Sequence, residues 1–140
     1  MKIIFSVSPI RHLRDGLTEN QKSKATLILA THQLVDLNPD YFYFPAYEIL
    51  LDDLRDYRFY ETNLTHPNQQ AVAYIWEKFQ DMFCDETTQQ TLKELAGFRK
   101  RLAHRFRNPD SKAAQHFKKE TEKRRQNLLK KYPYLQNHDF

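Results

Sequence analysis

Ile3-Ile4-Phe5-Ser6-Val7, read together with Tyr41-Phe42-Tyr43-Phe44, decides the fold. Both runs are short and apolar, with branched or aromatic side chains, the composition of strands covered on both faces. Ser8-Pro9 ends the first and Pro45 ends the second. Between them a helix is predicted from about Asn20 to Leu37, closed by Asn38-Pro39. Ala25, Ile28, Leu29, Gln33 and Val35 make no narrow stripe, and Leu27, Ala30, Leu34 and Leu37 widen its apolar face. Strands separated by a helix form a parallel pair with a crossover. The class is therefore α/β. Two strands are too few for a stable doubly wound sheet, so the chain reads as part of a larger α/β domain.

Beyond Pro45 the pattern turns helical. A short helix is expected over Ala46–Leu54, with Ile49, Leu50 and Leu54 facing inward, followed by an irregular stretch from Asp56 to Thr65. Ala71, Val72, Ile75, Trp76, Phe79 and Phe83 then follow helical spacing, with Pro67 in the first turn, where its missing N–H costs nothing. Asp85 is placed to cap a further helix, running to about Arg105 through Leu92, Leu95, Phe98 and Leu102. Asn108-Pro109-Asp110-Ser111 interrupts the chain, and a final polar helix spans about Ser111 to Lys131, anchored by Phe117, Leu128 and Leu129. Tyr132-Pro133-Tyr134-Leu135 is expected to pack back. This divides the chain into an α/β part, residues 1–84, and a helical extension packed on it, residues 85–140.

The composition excludes several classes. With only Gly16 and Gly97, neither a Walker A loop nor a dinucleotide fingerprint can be written. Cys84 is alone, so there is no intrachain disulfide and no cysteine-based zinc site, and a reducing, cytoplasmic setting is expected. No apolar run approaches the roughly 18 residues of a membrane span, and no membrane partner is expected. The net charge of +4 is uneven. Residues 1–97 carry nine Lys/Arg against fourteen Asp/Glu, and residues 98–140 carry thirteen against four. A basic tail on an acidic body points either to nucleic acid or to an acidic surface.

His66 is the candidate for proton transfer. It lies in Asn63-Leu64-Thr65-His66-Pro67-Asn68, exposed by a loop and steadied by the helix that follows. Arg11 and His12 follow the first strand; Tyr47 and Glu48 follow the second. Ligands of open α/β sheets bind outside the carboxyl ends of strands, so these four are candidate substrate contacts, Arg11 and His12 for a carboxylate or phosphate. A solvated loop is the ordinary alternative. His32, His104, His116 and His138 show no ligand spacing, so no metal is expected, and nothing calls for a cofactor.

Five segments, in order, resemble the GSCFA family: Ser6 to Gly16, Asn20 to Ala25, Tyr43 to Ile49, Leu54 to Tyr60, and His66-Pro67-Asn68. The tail, from Leu102-Ala103-His104-Arg105 through Lys131-Tyr132-Pro133, is similar to that family's C-terminal end. The family is grouped with SGNH or GDSL-type hydrolases, which have a three-layer α/β/α, flavodoxin-like fold and a serine nucleophile. The resemblance implies that His66 matches the histidine of an Asp-x-x-His motif near the end of the domain. That histidine acts as base toward the serine and then protonates the leaving group. Two departures stand out. Asn63 occupies the place of the orienting aspartate, and no Gly-Ser pair for the nucleophile motif occurs in the chain.

The resemblance thus implies the C-terminal part of an ester or acyl hydrolase, inactive alone, whose intact form acts on a small-molecule ester. Its expected partner is an N-terminal half. One alternative is a non-catalytic module that assembles with its own copy through the sheet edge. The other is nucleic-acid binding by the basic helices, through Arg99, Lys100, Arg101, Arg105, Arg107, Lys118, Lys119, Lys123, Arg124, Arg125, Lys130 and Lys131. No helix-turn-helix, zinc finger or aromatic RNA platform accompanies those charges, which favours a solvated face.

Overall fold

The computed structural model describes residues 1–137, in two compact units, Met1–Cys84 and the residues from Asp85 onward. In the first unit β1 (Ile3–Phe5) and β2 (Tyr41–Tyr43) run parallel, with Ile3 opposite Tyr41 and Phe5 opposite Tyr43. The ladder reaches one step further, because the Phe44 N–H donates to the Phe5 carbonyl at 2.8 Å. Successive strand side chains point to opposite faces. Tyr43 meets His32 of α1 (Gly16–Asp36), with ring centres 4.6 Å apart. Phe42 and Phe44 meet the aromatic side chains of α3 (Gln69–Phe83), where Phe44 lies edge-on to Phe79 at 5.2 Å. The sheet therefore has a helix on each face, a partial three-layer α/β/α arrangement with the expected parallel pair.

The expected wide apolar face of α1 is not what packs. Asn20 and Lys24 are buried and Ile28, Thr31 and Val35 half-buried, a single stripe at helical spacing. Leu27, Leu29, Leu34 and Leu37 fall off that stripe and stay exposed. The physical reason is width: two strands offer a narrow surface, and a helix can bury only the stripe that its partner covers. The helix also starts at Gly16, before the expected Asn20, because Gly16 turns the chain at φ 78°, a conformation open to glycine.

After β2 the chain enters α2 (Ala46–Glu48), which continues as a π-helical turn over Ile49–Asp53. This turn drives Leu50 inward, leaving it 1% exposed, and with Leu54, Tyr60 and Ala71 it forms the core beneath the loops. The stretch expected to be irregular contains a 3-10 turn, Tyr57–Phe59, started by Asp56 accepting from the Arg58 N–H. Pro67 is not in the first turn of α3. It pairs with Tyr60 in an isolated antiparallel bridge, and Asn68 caps the helix instead. The Asn68 side chain accepts from the Ala71 N–H at 3.0 Å and donates to the Arg58 carbonyl at 2.6 Å, so one residue ties α3 to the preceding turn.

In the second unit α4 (Glu86–Leu102), capped by Asp85, ends before the expected Arg105. α5 (Lys112–Lys131) is capped by Ser111 and buries Ala114, Thr121 and Leu128 at seven-residue intervals. Phe98 of α4 is fully buried, while Phe117 and Leu129, two of the expected anchors, are half-buried. Arg101 lies 4.0 Å over the Phe117 ring, and its Nε donates to Thr121 Oγ1. No helix among the described residues is long and apolar enough to cross a membrane.

Candidate active site at the strand ends

Both strands discharge toward the same end of the sheet. Val7, 3% exposed, anchors the chain leaving β1, and Ser6 Oγ donates to the Phe44 carbonyl at 2.8 Å, keeping the two exits side by side. Arg11 then fastens the β1 exit to the His66 loop. Its N–H donates to the Thr65 carbonyl and its guanidinium to the Leu64 carbonyl, each at 3.3 Å. The guanidinium also lies 4.5 Å over the Tyr60 ring and 5.6 Å over Tyr57.

The loop itself is closed by hydrogen bonds from Glu61 N–H to the His66 carbonyl and from Leu64 N–H to the Glu61 carbonyl, both 2.8 Å. Leu64 takes φ 54°, a left-handed conformation that costs a branched residue energy and marks the tightness of the turn. The Asn63 side-chain Oδ1 accepts from the Thr65 N–H at 2.9 Å and the His66 N–H at 3.1 Å. Those two donors fix which end of the amide is which. Its Nδ2 therefore faces His66 Nδ1, at 3.0 Å. An amide N–H must meet a lone pair, so the neutral ring accepts at Nδ1 and carries its proton on Nε2. His66 is exposed.

A pocket of about 300 Å³ opens where the strands end, lined by Arg11 from the β1 exit, Gln21 and Lys24 from α1, Tyr47 from α2, and Tyr57 and Tyr60. A smaller pocket of about 180 Å³ shares Arg11, Tyr57 and Tyr60. Lys24 is 2% exposed; its Nζ donates to the Ser8 carbonyl at 2.6 Å and lies 5.8 Å from the Tyr47 ring centre. Burial pushes its pKa below that of an ordinary lysine. The Tyr47 hydroxyl donates to Gln21 Oε1, and burial raises its pKa.

Of the six residues singled out in the sequence, the structure places Arg11 and Tyr47 in the wall of the larger pocket. His66 and Asn63 sit on the loop that Arg11 holds. His12 and Glu48 are not among the residues lining either pocket. His12 is exposed, with its backbone N–H donating to Asn20 Oδ1, and Glu48 accepts the Tyr43 hydroxyl at 2.7 and 3.0 Å. The sequence reading missed Lys24. Its signal is the stripe Asn20, Lys24, Ile28, Thr31, Val35, in which a lysine falls at helical spacing with Ile28 and Val35 on the inward side. Elsewhere, His32 packs on Tyr43, and His104 on Phe106 and Phe117. Among the described residues no three ligating side chains converge as a metal site, and His138 lies outside them.

Parallel strands between helices, with a cationic pocket and a histidine loop at their carboxyl ends, define an α/β domain whose candidate site lies at its strand outlet. The chain belongs to the GSCFA family, whose model matches residues 1–79. That span runs from β1 into α3 and takes in the His66 loop and the pocket, and it ends before the basic helices. No curated protein and no solved structure matches the chain.

Proposed function

We propose that this chain is the histidine-bearing C-terminal part of an SGNH-like hydrolase domain acting on small-molecule esters or acyl groups, and that it does not turn over substrate alone. The observation that carries the reading is the Asn63–His66 pair: a histidine on a tight loop at the strand outlet, its Nδ1 engaged by the side chain three residues earlier. That is the place an orienting acid occupies in a nucleophile–base pair. Two facts support inactivity. No Gly-Ser pair supplies the nucleophile within these 140 residues. The amide of Asn63 also donates to Nδ1, where a carboxylate would accept, leaving Nε2 protonated and unable to take the serine proton. In serine proteases the same acid-to-amide change lowers turnover about 10⁴-fold through the wrong tautomer. The lone Cys84 supports a cytoplasmic setting.

The test is hydrolysis of p-nitrophenyl esters of graded acyl length by the chain alone. The expected result is a rate equal to that of His66→Ala; turnover that His66→Ala abolishes contradicts the reading.

A second reading, assembly of the chain with its own copy through the free edge of β1, is favoured by Ile4 at 41% exposure and the uncovered leucines of α1. Light scattering across a concentration series tests it: a dimer supports assembly, and a monomer throughout removes it. We take the basic helices to be a solvated face rather than a nucleic-acid surface. Arg101, Arg125 and Lys131 are each engaged within the second unit, by Thr121, Glu122 and Glu94.

A further inference from the structure

Two cations face the larger strand-outlet pocket, whose lining holds no carboxylate; Asp56, in the lining of the smaller one, is paired with Arg58 at 3.8 Å. Among the described residues neither Arg11 nor Lys24 forms an ion pair; every ion pair found lies elsewhere. Lys24 is nearly sealed from water, and its only hydrogen bond among the described residues goes to a neutral carbonyl, that of Ser8. A buried ammonium on a carbonyl alone keeps most of its desolvation cost. Arg11 likewise gives one N–H to a carbonyl and rests on two aromatic faces, leaving the rest of its fork unused. Tyr47 adds a hydroxyl and Gln21 an amide to the same wall. Leu17, Leu51, Tyr57 and Tyr60 give the pocket an apolar and aromatic side, and Asn20, which also lines it, has its side-chain oxygen engaged by the His12 N–H.

A pocket that is positive at one side and apolar at the other selects a ligand of the same pattern. We propose that this pocket binds a small molecule carrying one oxyanion, a carboxylate or phosphate, on an apolar or aromatic body, with Lys24 and Arg11 holding the oxyanion and Tyr57 and Tyr60 holding the body. The oxyanion supplies the countercharge that the fold withholds from Lys24. It also gives the Arg11 fork the planar or tetrahedral acceptor that a fork suits. Because Arg11 also holds the backbone of Leu64 and Thr65, an occupied pocket bears directly on the His66 loop. Charge and shape alone carry this binding. It stands or falls separately from the hydrolase reading.

The experiment is an NMR titration of the full chain with benzoate, phenyl phosphate and the neutral isostere benzamide, followed at the ring signals of Tyr47, Tyr57 and Tyr60. Saturable shifts with benzoate or phenyl phosphate, weakening as salt rises and absent with benzamide, are expected. The tighter of the two anions identifies the oxyanion. Arg11→Gln is expected to weaken binding about tenfold or more, the worth of a charge-assisted hydrogen bond. Lys24→Met, which keeps the buried stem and removes the charge, is expected to do the same, and if it does not fold Arg11→Gln decides alone. Equal binding of benzamide, affinity unchanged in Arg11→Gln, or no saturation at tens of millimolar would overturn the proposal.

Discussion

Asn63 performs two tasks with one amide. Its oxygen closes the loop by accepting two backbone N–H groups, and its nitrogen sets the proton on the neighbouring imidazole. An aspartate there could close the same loop, but it would accept from Nδ1–H and free Nε2 as a base. The expected outcome is concrete: nitrogen-15 correlation spectra of the neutral ring show His66 protonated at Nε2 in the wild type and at Nδ1 in Asn63→Asp. A wild-type ring protonated at Nδ1 would contradict the assignment. The pairing of Asn63 with His66 was implied by the resemblance to the family's Asp-x-x-His motif. The direction of their hydrogen bond was not, because it is decided by the Thr65 and His66 N–H groups that only the folded turn presents. Lys24 was illegible for a related reason: its burial depends on which stripe of α1 a narrow sheet covers.

At the scale of elements, caps and exits determine where the site residues stand. The Asn68 side chain begins α3 and binds the Arg58 carbonyl, so Asn68→Ala removes two hydrogen bonds beside the His66 loop. A loss of about 1–2 kcal/mol in denaturant unfolding is expected, with wild-type stability the result that contradicts it. The Tyr43–Glu48 contact links the end of β2 to the start of α2. Burial, then the hydrogen bond and charge of Glu48, raise the Tyr43 pKa well above its usual value. A raised folded-state pKa means that the folded chain holds its phenol proton where the unfolded chain releases it. The stabilisation is therefore complete below about pH 10 and is lost as pH climbs beyond it. Tyr43→Phe should cost about 1 kcal/mol at neutral pH, and the gap should shrink above pH 10; a gap that widens there refutes the account. Element identities were largely readable from periodicity and punctuation. The π-helical turn after α2 was not, since Ile49, Leu50 and Leu54 suit an ordinary helix equally well and the choice comes from fitting Leu50 into the core.

For the whole molecule, α/β class and the parallel strand pair followed from two apolar runs flanking a helix, and the structure has both. The surface of α1 did not follow. Four leucines expected inside lie outside, because periodicity reports which residues share a face and not how wide a partner that face will meet. The same economy runs through the functional reading. The chain supplies a histidine loop and a cationic pocket at one strand outlet, and no Gly-Ser pair of a serine nucleophile motif occurs among its 140 residues. The direct measurement is ester turnover after mixing this chain with the serine-bearing N-terminal half of a GSCFA-family domain. The account predicts that Asn63→Asp gives turnover which His66→Ala in the same background removes, and that the wild-type chain is slower by orders of magnitude, toward the roughly 10⁴-fold scale of the acid–amide difference. Turnover indifferent to both substitutions would show that His66 is not the base.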